Sequence, residues 1–334
     1  MKQYNKKQFV NDVIAGLIVA IIALPLSIAL AISSGVTPEK GLHTAIIGGF
    51  IIAFLGGSRV QIGGPSGTFM VIVYGIVATY GMDGLIIATI MAGIFMVCFG
   101  LLRLGSYIKF IPYPITTGFT SGIALVMFTS QMKDFLGLHI ENSSPKFLEQ
   151  WAAYFKHIDT LSLQTASIGF IALMILIFWP KVNKKIPGAL IAIIVTSALV
   201  KFLNLEVETI GGRFGELSSS IPPFQVPKVD LEKIRILVGP ALTIAALGSI
   251  ESLLSAVVSD GMIGSKHRSN MELIADGTAN IFSGFFGGIP VTGAIARTVA
   301  NIKNGARTPI SGMVHSFALL LIMLLFMPLA KIIP

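Results

Sequence analysis

Long apolar runs constrain this 334-residue chain more than any other feature of its sequence. A membrane helix needs about 20 predominantly apolar residues. Runs of nearly this length or more lie at 12–33, 41–57, 84–103, 111–131, 165–180, 187–203, 237–261, 270–286 and 309–330. Two shorter segments, 66–80 and 291–303, are interrupted by Gly and Pro and predict half-helices, because both residues break a helix. The chain is therefore expected to be an all-α polytopic membrane protein.

The composition supports one membrane body. Hydrophobic residues make up 54% of the chain and charged residues 12%, whereas a soluble domain carries about 25% charged residues. We predict a single transmembrane domain over 1–334, with a first repeat at 12–203, a partial second repeat at 237–334 and no soluble domain. A phosphate-binding glycine loop, a nucleophile elbow and paired catalytic carboxylates are all missing from the sequence, so an enzyme is not expected. One cysteine and five scattered histidines predict no disulfide, metal site or cofactor.

The basic residues predict the orientation. Lys and Arg concentrate in short cytoplasmic loops of membrane proteins, and the segments containing Lys2, Lys184, Lys185 and Lys266 alternate with short outer loops that carry only Lys40. The segments 132–164 and 204–236 are predicted to lie outside; they carry most of the other basic residues, but long loops obey the rule weakly. The N-terminus is therefore predicted to be cytoplasmic, in the cell inner membrane. The basic pI of 9.6 is then a topology signal, so the expected partner is the lipid bilayer and not a nucleic acid. The ionisable residues around the 262–269 loop are predicted to form a solvated charged cap: Asp260, Lys266, His267, Arg268, Glu272 and Asp276.

An internal repeat indicates how the halves are arranged. The sequence GGPSG at 63–67 matches GGIPVTG at 287–293 with an offset of 224 residues, and each follows a pair of spans. The span count makes the two units inverted. Gly/Pro-interrupted segments in corresponding positions of two inverted halves indicate a transporter binding site, because free N–H groups and the helix dipole attract an anion. Close helix packing at the glycines is the alternative.

Two ionisable residues lie inside the predicted membrane segments. Glu251 is in the middle of 237–261, with Ser255 and Ser259 on the same helix face. A charge at the centre of a membrane helix costs about 2.5–3.5 kcal/mol on insertion scales. Glu251 is therefore interpreted as a proton carrier or cation ligand, with a structural link as the alternative. Arg297, one turn into the second half-helix, is expected to coordinate an anion, to pair with Glu251, or to snorkel to the inner face.

Six short segments carry a family resemblance. They are IIALPLS at 21–27, GLHTA at 41–45, GGPSG at 63–67, IPYP at 111–114 with GF at 118–119, GSIESLL at 248–254, and TGAIART at 292–298 with GARTP at 305–309. On these motifs the chain resembles the SulP family of inorganic anion transporters from about residue 12 to residue 330. The resemblance implies a seven-plus-seven inverted-repeat transporter fold with two half-helices meeting at mid-membrane. It also implies an elevator-type movement of a core, helices 1–4 and 8–11, against a gate.

The resemblance also implies site residues. The expected anion-facing positions are Leu26, Leu30, Gly67, Thr68, Ala294, Ile295, Ala296 and Arg297, and Glu251 with Ser255 is expected to hold the coupling ion, H+ or alternatively Na+. The implied function is proton-coupled symport of sulfate, bicarbonate or a dicarboxylate by a homodimer. Sodium-coupled bicarbonate uptake and an uncoupled channel or exchanger are the alternatives. Arg297 disfavours the sodium-bicarbonate branch and a nucleobase carrier. The chain ends at Pro334, where helix 12 is expected, so the second repeat is incomplete and the STAS domain of the family is not included.

Overall fold

The computed structural model describes residues 5–110, 113–140, 147–183, 186–227 and 231–334. Lys2, Lys184 and Lys185, on which the orientation partly depends, and residues 111–112 of the family motif lie outside these ranges. In chain order the described helices are α1 (Lys6–Ser33), α2 (Pro38–His43), α3 (Gly49–Leu55), α4 (Met70–Leu101), α5 (Tyr113–Leu136), α6 (Phe147–Lys156), α7 (Leu163–Val182), α8 (Gly188–Phe202), α9 (Ile210–Phe214), α10 (Leu231–Ile263), α11 (Ser269–Phe285), α12 (Ile295–Lys303) and α13 (Ile310–Ala330).

These helices agree with the predicted spans. A π-helical segment, Thr44–Gly48, joins α2 to α3 so that they form one continuous span. Five stretches of the described chain are long and apolar enough to cross a membrane: Lys6–Ser33, Gly67–Leu101, Leu163–Val182, Leu231–Ile263 and Ile310–Ala330. The predicted half-helix 66–80 and span 84–103 are merged in α4, but Gly81 breaks the helical path with φ +68° and ψ −171°. Glycine adopts this φ without steric cost, so the predicted boundary is retained as a break.

Contacts divide the chain into two compact units. The first contains 1–112 and 220–324, and the second contains 113–219 and 325–334. Each unit draws residues from both predicted repeats, so the units cut across the repeats.

The first unit is held together by direct contact between helix backbones. A Cβ added to Gly93 of α4 would lie 2.5 Å from the Gly277 carbonyl oxygen of α11, and a Cβ on Gly277 would lie 2.5 Å from the Gly93 carbonyl oxygen. Small residues permit this approach, which is how membrane helices gain packing energy without a hydrophobic driving force. An apolar cluster that includes Phe69, Met96 and Ile244 fills the space beside it.

Two three-residue strands pair with each other within the first unit, and each leads into a half-helix. Strand β1 (Gly63–Pro65) precedes the first turns of α4, and strand β2 (Val291–Gly293) precedes α12. They pair antiparallel, with Gly63 opposite Gly293 and Pro65 opposite Val291. Because the strands are antiparallel, the two half-helices run away from them in opposite directions. This is the arrangement expected of inverted repeats.

The strands correct the register of the internal repeat. Val291 begins β2 four residues beyond the position that the 224-residue offset assigns to the equivalent of Gly63. Gly287 and Gly288 instead end α11: Gly287, at φ +66°, donates its N–H to Gly284, and Gly288 donates to Ser283 at 2.7 Å. The sequence match therefore paired glycines with different structural roles: those of the first half form β1, and those of the second half end α11.

The second unit contains α5 to α9 and the end of α13. Leu138, Ile140 and Tyr154 form a small core, and the Tyr154 hydroxyl donates to the Thr129 carbonyl at 3.0 Å. Backbone hydrogen bonds from Ile210 to the 333 carbonyl and from Gly211 to the 331 carbonyl, each 2.9 Å, attach α9 to the last residues of the chain.

Candidate functional site

The starts of the two half-helices differ in how their backbone N–H groups are satisfied. Ser66 caps the first, where its side chain accepts a hydrogen bond from the Thr68 N–H at 3.3 Å. Ala294 stands at the N-cap of α12 and offers no side-chain cap. The first N–H groups of a helix have no partner within it, so the start of α12 presents free donors and the positive end of the helix dipole. A helix end of this kind has the charge that favours an anion.

Glu251 reaches the first half-helix from α10. The Ser66 hydroxyl lies 2.8 Å from both Oε1 and Oε2 of Glu251, and Thr68 is the next polar side chain beside the carboxyl group. A hydroxyl that donates to a carboxylate makes a charge-assisted hydrogen bond. Glu251 is half-buried, and both Ser66 and Thr68 hydrogen-bond its carboxyl group.

Arg297 is enclosed at the second half-helix. Its side chain is 2% exposed, and Nη2 donates to the Pro65 carbonyl at 2.8 Å. Its Nε and Nη1 atoms have no hydrogen-bond partner within the described residues. The guanidinium and Glu251 influence one another electrostatically, yet no ion pair of 4.0 Å or less joins them in the part of the chain described. Arg297 is thus neither snorkelling nor paired, and it holds two unused donors.

The other predicted anion-facing positions are found at the half-helix starts and on α1. Gly67 and Thr68 are half-buried in the 3-10 turn Gly67–Phe69 before α4. Ala294 is 9% exposed at the cap of α12, Ile295 is half-buried and Ala296 is exposed. On α1, which packs against β1 and α12, Leu26 is half-buried and Leu30 is buried. The structure therefore brings all eight positions into the first unit, together with Glu251.

Ser255 does not reach Glu251. It is fully buried, as is Ser259, which confirms that the two share one face of α10. The Ser255 hydroxyl donates to the Thr298 hydroxyl at 3.3 Å, and the same Thr298 oxygen accepts from the Ile62 N–H at 3.1 Å. In this structure Ser255 connects α10 to α12, and its role in holding a coupling ion stays a prediction.

The predicted charged cap is wrong for two of its six members. Glu272 and Asp276 have no exposed surface, whereas Lys266 and Arg268 are exposed as expected. The reason is that α11 turns this face toward α10 and toward Ser58 in the segment between α3 and β1, and not toward the solvent. A run of charges beside a loop looks solvated in sequence, and the sequence carries no signal that turns these two acids toward the interior.

Sequence reasoning also missed two polar residues before the first half-helix. Ser66 belongs to the GGPSG motif, but its contact with Glu251 could not be read from the sequence. Gln61 is 2% exposed, and its Nε2 donates to the Ser252 hydroxyl at 2.6 Å. Among the described residues, no group of three or more His, Cys, Asp and Glu side chains is arranged to hold a metal ion.

Inverted repeats whose interrupted helices meet at their N-termini define the class of inverted-repeat membrane transporters. The sulfate permease family matches residues 9–334, and the chain belongs to this family. Because the family and the relatives below are transporters, the expectation that the chain is not an enzyme is confirmed.

Three comparisons illustrate the relationship. The chain is 46% identical over 334 residues to the "Putative sulfate transporter YvdB" of Bacillus subtilis, covering 100% of this chain and 63% of that protein. It is 34% identical over 352 residues to the bicarbonate transporter BicA of a Picosynechococcus species, covering 100% of this chain and 61% of that protein. The solved transmembrane domain of a cyanobacterial BicA matches with a TM-score of 0.90 and 30% identity, over 99% of this chain and 86% of that domain. This likeness confirms the inverted-repeat transporter fold. The chain spans about three fifths of the length of these two curated relatives.

Proposed function

We propose that this protein carries a small anion, such as sulfate, bicarbonate or a dicarboxylate, across the cell inner membrane. The observation that carries the proposal is Arg297, which is buried with Nε and Nη1 unpartnered at the start of an uncapped half-helix. Buried donors without partners are expensive in a finished fold, and a bound anion would satisfy them. The relatives named as sulfate and bicarbonate transporters support this substrate class.

Coupling to protons follows from the position of Glu251. An anion bound at Arg297 would add negative charge near the carboxyl group of Glu251, which already interacts electrostatically with Arg297. Protonation of Glu251 removes the repulsion, so anion and proton should bind cooperatively, which is the thermodynamic content of symport. Because Glu251, Ser66 and Arg297 belong to one compact unit, that unit can carry the complete site as a body in an elevator-type movement. A cytoplasmic N-terminus and a homodimer in the membrane complete the proposal.

Sodium-coupled bicarbonate uptake is the second candidate, and the identity to BicA supports bicarbonate. In that case Glu251 would be a ligand of the cation. An uncoupled channel or exchanger would leave Glu251 without a role in flux.

Calorimetry on the purified protein tests the site and the coupling ion together. Anion binding is titrated in two buffers of different ionisation enthalpy, which gives the number of protons taken up with each anion. Labelled sulfate, bicarbonate and a dicarboxylate are then compared by counterflow in proteoliposomes, with and without a proton gradient. The wild type should take up protons with its anion, and the gradient should accelerate uptake.

The matched pair of variants is Glu251→Gln and Glu208→Gln, the second altering an exposed acid of the second unit. Glu251→Gln should keep anion binding and counterflow but lose proton uptake and stimulation by the gradient, and Glu208→Gln should behave as wild type. Uptake that ignores pH and requires sodium would favour the second candidate. Flux that no gradient can drive uphill would identify a channel.

A further inference from the structure

One face of α11 carries a stripe of polar side chains in the interior of the first unit. Glu272, Asp276, Asn280 and Ser283 all have no exposed surface. The Asn280 amide donates to the Val291 carbonyl at 2.7 Å and accepts from the Val291 N–H at 3.0 Å, and Ser283 donates to the backbone just before β2 at 2.8 Å. This half of the stripe fixes the strand. Neither of the two acids forms a hydrogen bond with β2.

The carboxyl groups of the two acids are largely unused. Glu272 accepts a hydrogen bond from the Ser58 N–H at 2.7 Å through Oε2, and its Oε1 has no partner. Both carboxyl oxygens of Asp276 lack a hydrogen-bond partner among the described residues. The Ser252 hydroxyl faces Asp276 without closing a well-formed hydrogen bond. Neither acid forms an ion pair with a Lys or Arg of the described ranges.

The carboxyl groups of Glu251, Glu272 and Asp276 therefore lie in the same interior region of the first unit and interact electrostatically. The titratable groups that act on Asp276 are Glu272 on its own helix and Glu251 on α10. An unpaired ionised carboxylate in a dry interior costs several kcal/mol, and such a group neutralises instead. Neighbouring carboxylates that share a site cannot all be ionised. We therefore expect the stripe to hold a proton in addition to any proton on Glu251.

Polar groups continue from the stripe toward the anion site. Ser252 follows Glu251 in the chain, and its Oγ accepts a hydrogen bond from Gln61 Nε2 at 2.6 Å. A serine hydroxyl has one hydrogen to donate, and the bond from Gln61 leaves that hydrogen available to Asp276. The Oε1 atom of Gln61 is also buried and without a partner.

Polar groups also continue from the stripe to the protein surface. Ser58, which binds Glu272, shares a hydrogen bond of 3.3 Å with the Ser259 hydroxyl. The next residue, Asp260, acts electrostatically on Glu272, as does Arg268. Asp260 Oδ2 lies 2.7 Å from His267 Nδ1, and the Asp260 and His267 side chains are 17% and 8% exposed. The series therefore ends at the loop that connects α10 to α11.

We propose that Asp276 and Glu272 form a proton relay between Glu251 and this loop. When Glu251 releases its proton, Asp276 takes up a proton and passes its own to Glu272, and a proton leaves Glu272 toward Asp260 and His267. The number of protons on the relay is unchanged, and one proton crosses in each cycle. The relay rests on the proposed proton coupling and adds the route by which the proton reaches the cytoplasmic side.

The test combines spectroscopy with flux in the whole protein. The infrared band of a protonated carboxylic acid is recorded at neutral pH for the wild type, Asp276→Asn and Asp276→Glu. Anion binding with its linked proton uptake, anion exchange and proton-driven uptake are measured for the same proteins in parallel. Asp83→Asn, which removes an exposed acid of the same unit, is the matched control.

Asp276→Asn should lose part of the infrared band and slow proton-driven uptake by about a hundredfold, the scale of a positioned proton-transfer group. Anion binding, its linked proton uptake at Glu251 and exchange should remain. Asp276→Glu should restore much of the driven uptake, and the control should behave as wild type. If Asp276→Asn does not fold, Glu272→Gln and Ser252→Ala are expected to slow driven uptake in the same selective way.

Driven uptake in Asp276→Asn equal to that of the wild type would overturn the relay, as would an unchanged infrared band. The relay would also be overturned if anion binding depended on sodium in the wild type and in the variants, because the acids would then be cation ligands. A wild type that takes up no proton with its anion would refute the proposed coupling itself. That outcome is separate, because it appears before any relay variant is compared.

Discussion

The Nη1 atom of Arg297 occupies the space in which a side chain on Gly64 would begin, so that a Cβ at Gly64 would overlap the guanidinium. The opposite strand repeats the relationship, because a Cβ on Gly293 would overlap Nε2 of Gln61. Each strand thus carries a bare glycine where a long polar side chain from the other half crosses it. The glycines in these motifs are needed for space, and the local φ angle at either position is not what requires them.

Replacing Gly64 by Ala should therefore act as a displacement of Arg297. The added methyl group should push the guanidinium away from the Pro65 carbonyl, and anion binding should weaken as we expect for removal of the arginine itself. Isothermal titration with sulfate or bicarbonate measures the effect. Gly75→Ala is the matched control, because a Cβ at Gly75 meets nothing within 4 Å. Equal anion affinity in Gly64→Ala and the control would show that the position of Arg297 does not matter.

Removing the guanidinium itself should weaken anion binding by roughly tenfold to 150-fold. Hydrogen bonds to charged groups contribute about 1.5–3 kcal/mol, and each 1.4 kcal/mol is tenfold in affinity. Arg297→Lys should recover part of the loss, since it supplies a point charge without the planar fork. Arg103→Ala, at an exposed position, controls for the loss of charge. Normal affinity in Arg297→Ala would make Arg297 a purely structural residue.

Asn280 should matter for the stability of the site more than for its chemistry. Asn280→Ala leaves the N–H and carbonyl of Val291 unpaired, at about 1–3 kcal/mol for each group. Thermal unfolding in detergent should show a lower midpoint, and anion binding should weaken with it because β2 is no longer fixed. Thr278→Ala on the same helix removes only a bond to the Ile274 carbonyl within α11, and it should change little. A stable Asn280→Ala protein would show that β2 is held by other contacts.

The orientation predicts which surface residues a membrane-impermeant maleimide can reach. In a Cys98→Ala background, Lys266→Cys should be labelled only after cells are opened, and Glu216→Cys should be labelled in intact cells. Both positions are exposed in the structure, so access to the reagent depends on the side of the membrane alone. Labelling of Lys266→Cys in intact cells would invert the topology.

The sequence predicted the spans well because their signal is composition, which every residue of a run contributes to. The half-helices were also predictable, since clustered Gly and Pro residues interrupt a helix, whereas single prolines such as Pro25 and Pro240 lie within helices. The register of the second half was wrong by four residues, because glycines that end α11 resemble glycines that begin β1. Only the pairing of β1 with β2, which joins residues far apart in the chain, separates the two cases.

The candidate site was predictable in part. Glu251 and Arg297 stand out as ionisable residues in apolar segments, and the structure brings both to the half-helix starts. The burial of Glu272 and Asp276 was missed, because a helix beside a charged loop gives no sequence signal for which face turns inward. The Ser66 contact with Glu251 likewise depends on the tertiary packing of α10 against the first half-helix.

The pairing of β1 with β2 also sets an order of events during synthesis. Gly63 emerges from the ribosome long before Val291, and at about 5–20 residues per second the interval is roughly ten to fifty seconds. Throughout this time the edge of β1 lacks the strand that satisfies its backbone, inside a membrane where unpaired backbone groups are costly. We therefore expect the backbone of β1 to stay hydrated until the second half is made, so that the proposed anion site forms only once β2 has paired with β1.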